Sequence, residues 1–414
     1  MPPRIWDVTS VATEAAYFVD DQAAVRAGAR RDGFRYRGRP LTPGFREIRE
    51  PGQALTVLVR LDDGVVLTGD CAGVQYSGVA GRAAPMSAVD GARLVGTVLR
   101  PALVGREVAS FRGLSEVLAA LALPPWLAYG ASQALVRAVA SARRRPIAGV
   151  IVDEWGLPVP SRTVPVLAQS GETPRAAADR MILKRADALP HGLVNNVDAC
   201  LGRRGEKLLD LVRWLSGRIT ELAGPAGPYR PVLHFDVYGT VGEAFGTVDR
   251  VARYLLTLAA AAAPYRLRVE HPVDAGDRDR QIETLAALRR SLRGRVELVA
   301  DEWCNTLPDV LAFAAAGCVD MIHVKTPDLG GLDRTVEALL ACRRHGVAGY
   351  CGGSSNETAG SAQVCAQVAL ACGAELVLAK PGMGVDEGLS IVRNEMRLAL
   401  AQVAPAPIAQ LEGA

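Results

Sequence analysis

PVLHFDV at residues 231–237, RLRVE at 266–270, VELVADEW at 296–303 and MIHVK at 321–325 are four short apolar runs separated by longer stretches of helical period. Each run has the length and β-branched character of a buried strand. Between them lie VDRVARYLLTLAAAA and IETLAALRRSLRG, whose leucines recur at the spacing of an amphipathic helix. Moving outward, VPVLAQ (164–169) and ALPHGLV (188–194) come before these four, and AGYCGG (348–353) and ELVLAK (375–380) come after. EKLLDLVRWLSGRITELA and RTVEALLACRRHG fill two further intervals as helices. Strand and helix alternating eight times from about residue 164 onward predicts a (β/α)₈ TIM barrel. A doubly wound sheet would place a glycine-rich phosphate turn after its first strand, and AQSGETP is not one.

The first 160 residues carry a different pattern. ALTVLVRLDDG (54–64) and VVLTGDC (65–71) read as strands, and SEVLAALAL (115–123) and ASQALVRAVASARRR (131–145) read as helices. Strands followed by helices predict a separate α+β domain at 1–160, ahead of a barrel domain at 161–414. CAGVQYSGVAGRAAP (71–85) is glycine-rich and without period, a candidate lid over a neighbouring site or else an ordinary long surface loop. The tail PAPIAQLEGA (405–414) carries no signal.

Composition narrows the function classes. With 49% hydrophobic and 22% charged residues, the 414-residue chain can bury a large core, which excludes a disordered protein. Its 47 basic and 44 acidic residues nearly balance, with no basic run interleaved with aromatics, so nucleic acid is not an expected partner. The eight cysteines show no CxxC pair and are expected to be reduced. No signal peptide is evident, and the longest apolar run stops at Pro264, well short of the roughly 18 residues of a membrane span. A soluble cytoplasmic protein is expected. The only lysines are Lys184, Lys207, Lys325 and Lys380. A chain that uses arginine for generic positive charge is expected to keep some of its lysines for work arginine cannot do, such as losing a proton near neutral pH.

In a barrel, the strand C-terminal ends face the active site. Asp236 in LHFDVYG, Glu270 in LRVEHP and Asp301 in LVADEW place one carboxylate at each of three successive strand ends. A lone acid there is usually a helix cap, but three converging on one mouth suit a hard, oxygen-seeking cation such as Mg²⁺. Lys325, one strand later in HVKTPD, is a candidate base, because an ammonium beside a divalent cation is pushed toward its neutral amine. A plain salt bridge to one of the acids is its alternative. His191, near the end of the second strand in LPHGLVNN, would approach from the other side as a second acid or base, or else be a capped loop histidine.

LHFDVYGT, VADEWCNT, VKTPDLGG, YCGGSSNET and AKPGMGVDEG, with DDQAAVRAGARRDGFRYRG and GDCAGVQYSG toward the N-terminus, resemble the methylaspartate ammonia-lyase family of the enolase superfamily. The resemblance spans essentially the whole chain. It implies an α/β protein of enolase-superfamily architecture, an N-terminal α+β capping domain followed by a modified (β/α)₈ barrel, paired as a homodimer, with Mg²⁺ and a supporting K⁺. It implies that Asp236, Glu270 and Asp301 are the metal ligands and that Lys325 takes the C3 proton of (2S,3S)-3-methylaspartate, giving mesaconate. By the same resemblance His191 serves the opposite face, Gln169 meets a substrate carboxylate, Leu378 walls the methyl group and Gln75 in the lid is a further contact. The chain departs from the family pattern at His323, where glutamine is usual, at Ser354-Ser355 in place of Thr-Cys, and at His271 in place of glycine. Ser354 keeps a hydroxyl and the Ser355 backbone N–H can still hold a carboxylate, whereas His323 bears on how the substrate carboxylate is gripped. These changes touch substrate preference more than reaction class.

Three other readings use the same residues. Racemisation or dehydration could run on the same metal and base. Lys325 could form a Schiff base with a carbonyl substrate, which leaves the three acids without a purpose. A binding barrel that has lost catalysis would lack a ligand or the lysine, and none is missing.

Overall fold

The structure is a computed structural model that describes residues 2–224 and 228–403; the tail at 405–414 lies outside them. The N-terminal part holds five strands: β1 (Ile5–Asp20), the short hairpin β2 (Arg30–Asp32) and β3 (Arg35–Arg37), β4 (Arg49–Leu61) and β5 (Val66–Ala72). β1, β4 and β5 form an antiparallel sheet in that order, with Ala12 opposite Leu55 and Val8 opposite Val59. Along β4 the alternate residues Leu55, Val57, Val59 and Leu61 are fully buried, the period of two expected of a sheet with one face on the core. The helix Pro125–Arg143 lies on that face, and glycines let the two backbones meet. A Cβ on Gly130 would fall 2.3 Å from Cys71 Sγ, and one on Gly69 would fall 2.0 Å from the Gly130 carbonyl oxygen.

β1 has no counterpart in the expected strands. Its sequence, IWDVTSVATEAAYFVD, is largely exposed or half-buried over its middle, so polar residues interrupt the alternation that marks β4.

All eight barrel strands lie where the sequence predicts them: β6 (Val166–Leu167), β7 (Ala188–Leu193), β8 (Val232–Asp236), β9 (Leu267–Glu270), β10 (Glu297–Ala300), β11 (Met321–Val324), β12 (Ala348–Cys351) and β13 (Leu376–Leu378). They pair in parallel and close, β13 against β6 and the others in chain order. Leu167, Val299, Met321, Tyr350 and Leu376 fill the interior. The outer helices and the cap helices share one continuous apolar core, in which Ile147–Trp155 packs against Ala359–Cys372.

The glycine contact between cap helix and sheet makes a stability prediction. Gly130→Ala forces a methyl into Cys71 and should cost about 1–3 kcal/mol. Gly217→Ala, in the exposed-side space of helix Glu206–Ala223 where a Cβ meets nothing within 4 Å, should stabilise by roughly 0.5–1 kcal/mol. Urea midpoints at unchanged m-value give both; equal effects from the two variants would refute the close-contact account.

Candidate active site

Every strand end contributes to one mouth. Going round the ring, β8, β9 and β10 supply Asp236, Glu270 and Asp301; β11 supplies Lys325; β12 supplies Gly353, Ser354 and Ser355; β13 supplies Leu378; β6 supplies Gln169; and β7 supplies His191. A single pocket is lined by Gln75, Gln169, His191, Asp236, His323, Lys325, Ser354, Ser355 and Leu378, so the structure gathers these expected residues into one place. Glu270 and Asp301 sit just beneath its wall, in contact with His323 and Lys325. One half of the rim is anionic and the opposite half is neutral. β7 and β11 lie four places apart in the eight-strand ring, so His191 and Lys325 face each other across the mouth.

The local backbone explains how these side chains turn inward. Between β7 and β8 the register skips His191, a bulge that leaves it at φ 45°. Tyr238, His271 and Trp303, just past β8, β9 and β10, are also left-handed, at a cost of roughly 1–2 kcal/mol each. His234 and His323 lie two residues before Asp236 and Lys325, on the same inward face of their strands.

The anionic wall is sealed from water, with Asp236, Glu270 and Asp301 each at most 1% exposed. Burial and the neighbouring charges of Glu270, Glu302 and Asp301 push the Asp236 carboxyl well above its ordinary range. Burial also works against the charge of Glu270, but the three histidines around it hold its carboxylate well below the usual range. His234, lowered to about 4 mainly by burial, is neutral and donates from Nε2 to Glu270 Oε2 at 2.7 Å. Gly353 N–H donates to His323 Nε2 at 3.0 Å, which puts the ring proton on Nδ1, and that donates to Glu270 Oε1 at 2.7 Å. The ring fits because Gly352 has no side chain; a Cβ there would lie 1.9 Å from His323 Nε2. Asp301 is bound from two sides, by Lys325 Nζ at 2.6 Å and by Arg82 Nη2 at 2.8 Å. These cations outweigh the effect of burial and hold Asp301 below the usual carboxylate range.

Both nitrogens of His191 are buried without a hydrogen-bond partner, its Nε2 standing 3.5 Å from Glu270 and 4.0 Å from Asp236. Ser355 Oγ is likewise buried and unpartnered. The two glutamines are more constrained. Gln169 Nε2 donates to the carbonyls of Ala379 (2.9 Å) and Gly382 (2.7 Å), so both its N–H groups are spent. Gln75 Nε2 donates to Asp20 Oδ2 at 2.8 Å. Each glutamine therefore has its amide oxygen to offer the pocket. An acceptor suits an ammonium, not the carboxylate contact that the resemblance implies for Gln169.

Three histidines interleave the carboxylates. Among the described residues, the ligand-capable groups whose donor atoms cluster most closely are His191–His234–Glu270 and Glu270–Asp301–His323. The segment between β5 and helix Ala88–Leu94 lies at the mouth, with Val74, Gln75 and Tyr76 lining the pocket. Arg82 in the same segment reaches Asp301, Glu302 and Asp328. Tyr76 and Met383, which also line the pocket, stand inside motifs already quoted, and a period-two reading back from Asp236 finds His234. A lone arginine in a glycine-rich loop gives no such signal.

The chain matches the methylaspartate ammonia-lyase C-terminus family model over residues 158–404 and the corresponding N-terminus model over 3–156. It belongs to the methylaspartate ammonia-lyase family. It is 47% identical to methylaspartate ammonia-lyase 2 of Carboxydothermus hydrogenoformans, over 93% of this chain and 95% of that one. It is 45% identical to the Clostridium tetanomorphum methylaspartate ammonia-lyase, over 97% and 99%. Among solved structures, the Citrobacter amalonaticus enzyme containing (2S,3S)-3-methylaspartic acid superposes with a TM-score of 0.92 at 43% identity, covering 96% of this chain and 99% of that one. The Mg-complex of β-methylaspartase from C. tetanomorphum gives 0.88 at 45% identity, covering 97% and 99%. Muconate lactonizing enzyme shares the architecture alone, with a TM-score of 0.61 at 15% identity over 89% and 85%. The family's enolase-superfamily fold, a capped barrel, is thus the fold of this chain. Among the described residues no helix is long and apolar enough to cross a membrane.

The crowding at Asp236 makes a prediction for the chelator-treated protein. A carboxyl whose folded pKa is raised costs stability as pH climbs from the ordinary value of 3.8 through the raised one. In EDTA at neutral pH, Asp236→Asn should therefore melt at a higher temperature than wild type, and the gap should close as pH falls toward 4. A variant no more heat-stable at neutral pH would show that the like charges are already compensated.

Proposed function

We propose that this family member is a Mg²⁺-dependent carbon–nitrogen lyase that eliminates ammonia from 3-methylaspartate, or a close 3-substituted aspartate, to give mesaconate. The observation that carries this reading is the polarity of the rim. Three carboxylates fill one side, neutral donors and acceptors fill the other, and Lys325 and His191 stand opposite each other where the two sides meet.

Asp236, Glu270 and Asp301 fit the cation. They are oxygen donors, water is excluded, and Asp236 carries a charge that its surroundings reject unless a cation balances it. Bound there, Mg²⁺ supplies the positive charge that stabilises negative charge gathering on a substrate carboxylate when the adjacent C–H bond is broken.

The protein's own groups handle positioning and the proton. Lys325 takes the C3 proton from one side. The electron pair of the C3–H bond becomes the C2–C3 double bond, and the pair of the C2–N bond leaves with ammonia. Gln75 and Gln169 receive the ammonium through their amide oxygens and hold the C2–N bond in place. Ser354 and Ser355 hold the far carboxylate, for which the unpartnered Ser355 hydroxyl is a ready donor, and His323 orients that loop through Gly353 N–H. Leu378, beside the neutral wall, packs on the methyl group. His191, with both nitrogens free, acts on the opposite face and serves the (2S,3R) diastereomer.

The same reading takes the protein to be a cytoplasmic homodimer of two-domain chains, cap at 1–160 and barrel domain at 161–414, with K⁺ in a supporting role; family membership is its support.

Purified protein with Mg²⁺ and (2S,3S)-3-methylaspartate should form mesaconate, followed by ultraviolet absorbance. EDTA should abolish that signal and excess Mg²⁺ restore it; a signal indifferent to EDTA rules out the metal. Lys325→Ala should lower turnover of this isomer by about 10²- to 10⁴-fold. His191→Ala should lose the (2S,3R) isomer far more than the (2S,3S) isomer, and a uniform loss would remove the opposite-face role.

A further inference from the structure

Gln75 is clasped by one residue twice. Asp20 N–H donates to the Gln75 carbonyl oxygen at 2.9 Å, and Asp20 Oδ2 accepts from Gln75 Nε2 at 2.8 Å. Asp20 is itself fixed by Arg49, whose Nε reaches Oδ1 at 2.7 Å and whose Nη2 reaches Oδ2 at 2.8 Å. The same Nη2 also donates to Glu172 Oε1 at 2.8 Å, three residues beyond Gln169 on the barrel. Arg49 lies over the rings of Phe34 and Tyr36, 4.5 and 4.9 Å from their centroids, and Tyr36 donates to Glu172. Asp20 is wholly buried, and the Arg49 side chain is 3% exposed.

A carboxylate only accepts hydrogen bonds, so a glutamine facing it must present its NH₂ there and its oxygen elsewhere. Salt-bridged to Arg49 at both oxygens, Asp20 cannot turn away. We infer that Asp20, locked by Arg49, is a positioning residue that sets the polarity of the Gln75 amide and so makes the amine end of the pocket selective for ammonia over other parts of the substrate. This rests on the lyase reading above and names what fixes the substrate's amine at that end of the pocket.

Asp20→Asn tests it without changing shape. Both oxygens of Asp20 meet guanidinium N–H groups, so the new NH₂ must displace one of them. Only at the Oδ2 position does it find an acceptor, provided that Gln75 turns over. The pocket then meets ammonium with a donor. Kinetics are measured in the addition direction, from mesaconate and ammonia. In D20N the KM for ammonia should rise by about tenfold or more, the worth of a hydrogen bond to a charged group. The KM for mesaconate should stay within about twofold. Arg49→Lys loosens the cluster but leaves the carboxylate, so it should lower the melting temperature while keeping the ratio of the two KM values within about twofold. A merely structural cluster would move both KM values together in both variants.

If D20N does not fold, D20A/R49M removes acceptor and guanidinium as a pair and should shift the ratio in the same sense. Equal movement of the two KM values, no movement in either, or an R49K ratio shifted as far as that of D20N overturns the inference while leaving the lyase reading standing. A wild type that does not join ammonia to mesaconate overturns both.

Discussion

Three carboxylates buried on adjacent strands repel one another, and most of the site is arranged around that repulsion. The (β/α)₈ barrel forces the meeting, since parallel strands all end on the same face. Water cannot screen the charges, because Asp236, Glu270 and Asp301 are sealed in. The chain answers with Arg82 and Lys325 on Asp301 and with His234 and His323 on Glu270. Among the described residues no lysine or arginine pairs with Asp236, which is why it is the acid most in need of a bound ion. The stability given up here is recovered in the long apolar core shared by cap and barrel.

The barrel was legible because its signal is redundant. Each strand is a short β-branched run between helices of clear period, and the acid or lysine at its end follows from counting strands. Geometry that depends on two strands at once was not legible. The bulge that turns His191 inward is a mismatch between β7 and β8, invisible in either sequence alone. His234 reads as an ordinary strand residue until its partner, Glu270 on the adjacent strand β9, is in place.

The cap shows the same limit in another form. β4 alternates from Leu55 to Leu61, whereas β1 is half exposed along most of its length and its pattern dissolves into polar residues. Amide direction is a still finer property. Nothing in VLAQSG or AGVQYSG says which end of the glutamine faces inward; that is set by Ala379, Gly382 and Asp20, residues remote in sequence.

The division of labour between the two parts of the chain has a further meaning. The three carboxylates, Lys325 and His191 stand on the barrel, while the clasp on Gln75 is built from β1, β4 and the lid, all cap elements. The acids and lysine of the barrel and the clasp on Gln75 are thus carried on separate stretches of one polypeptide, joined at this end of the pocket where Arg31, Tyr36 and Arg49 meet Glu172. Recombination between relatives at the seam between them would exchange the clasp on Gln75 while keeping the barrel's acids and lysine, so the architecture lets selection vary the two separately.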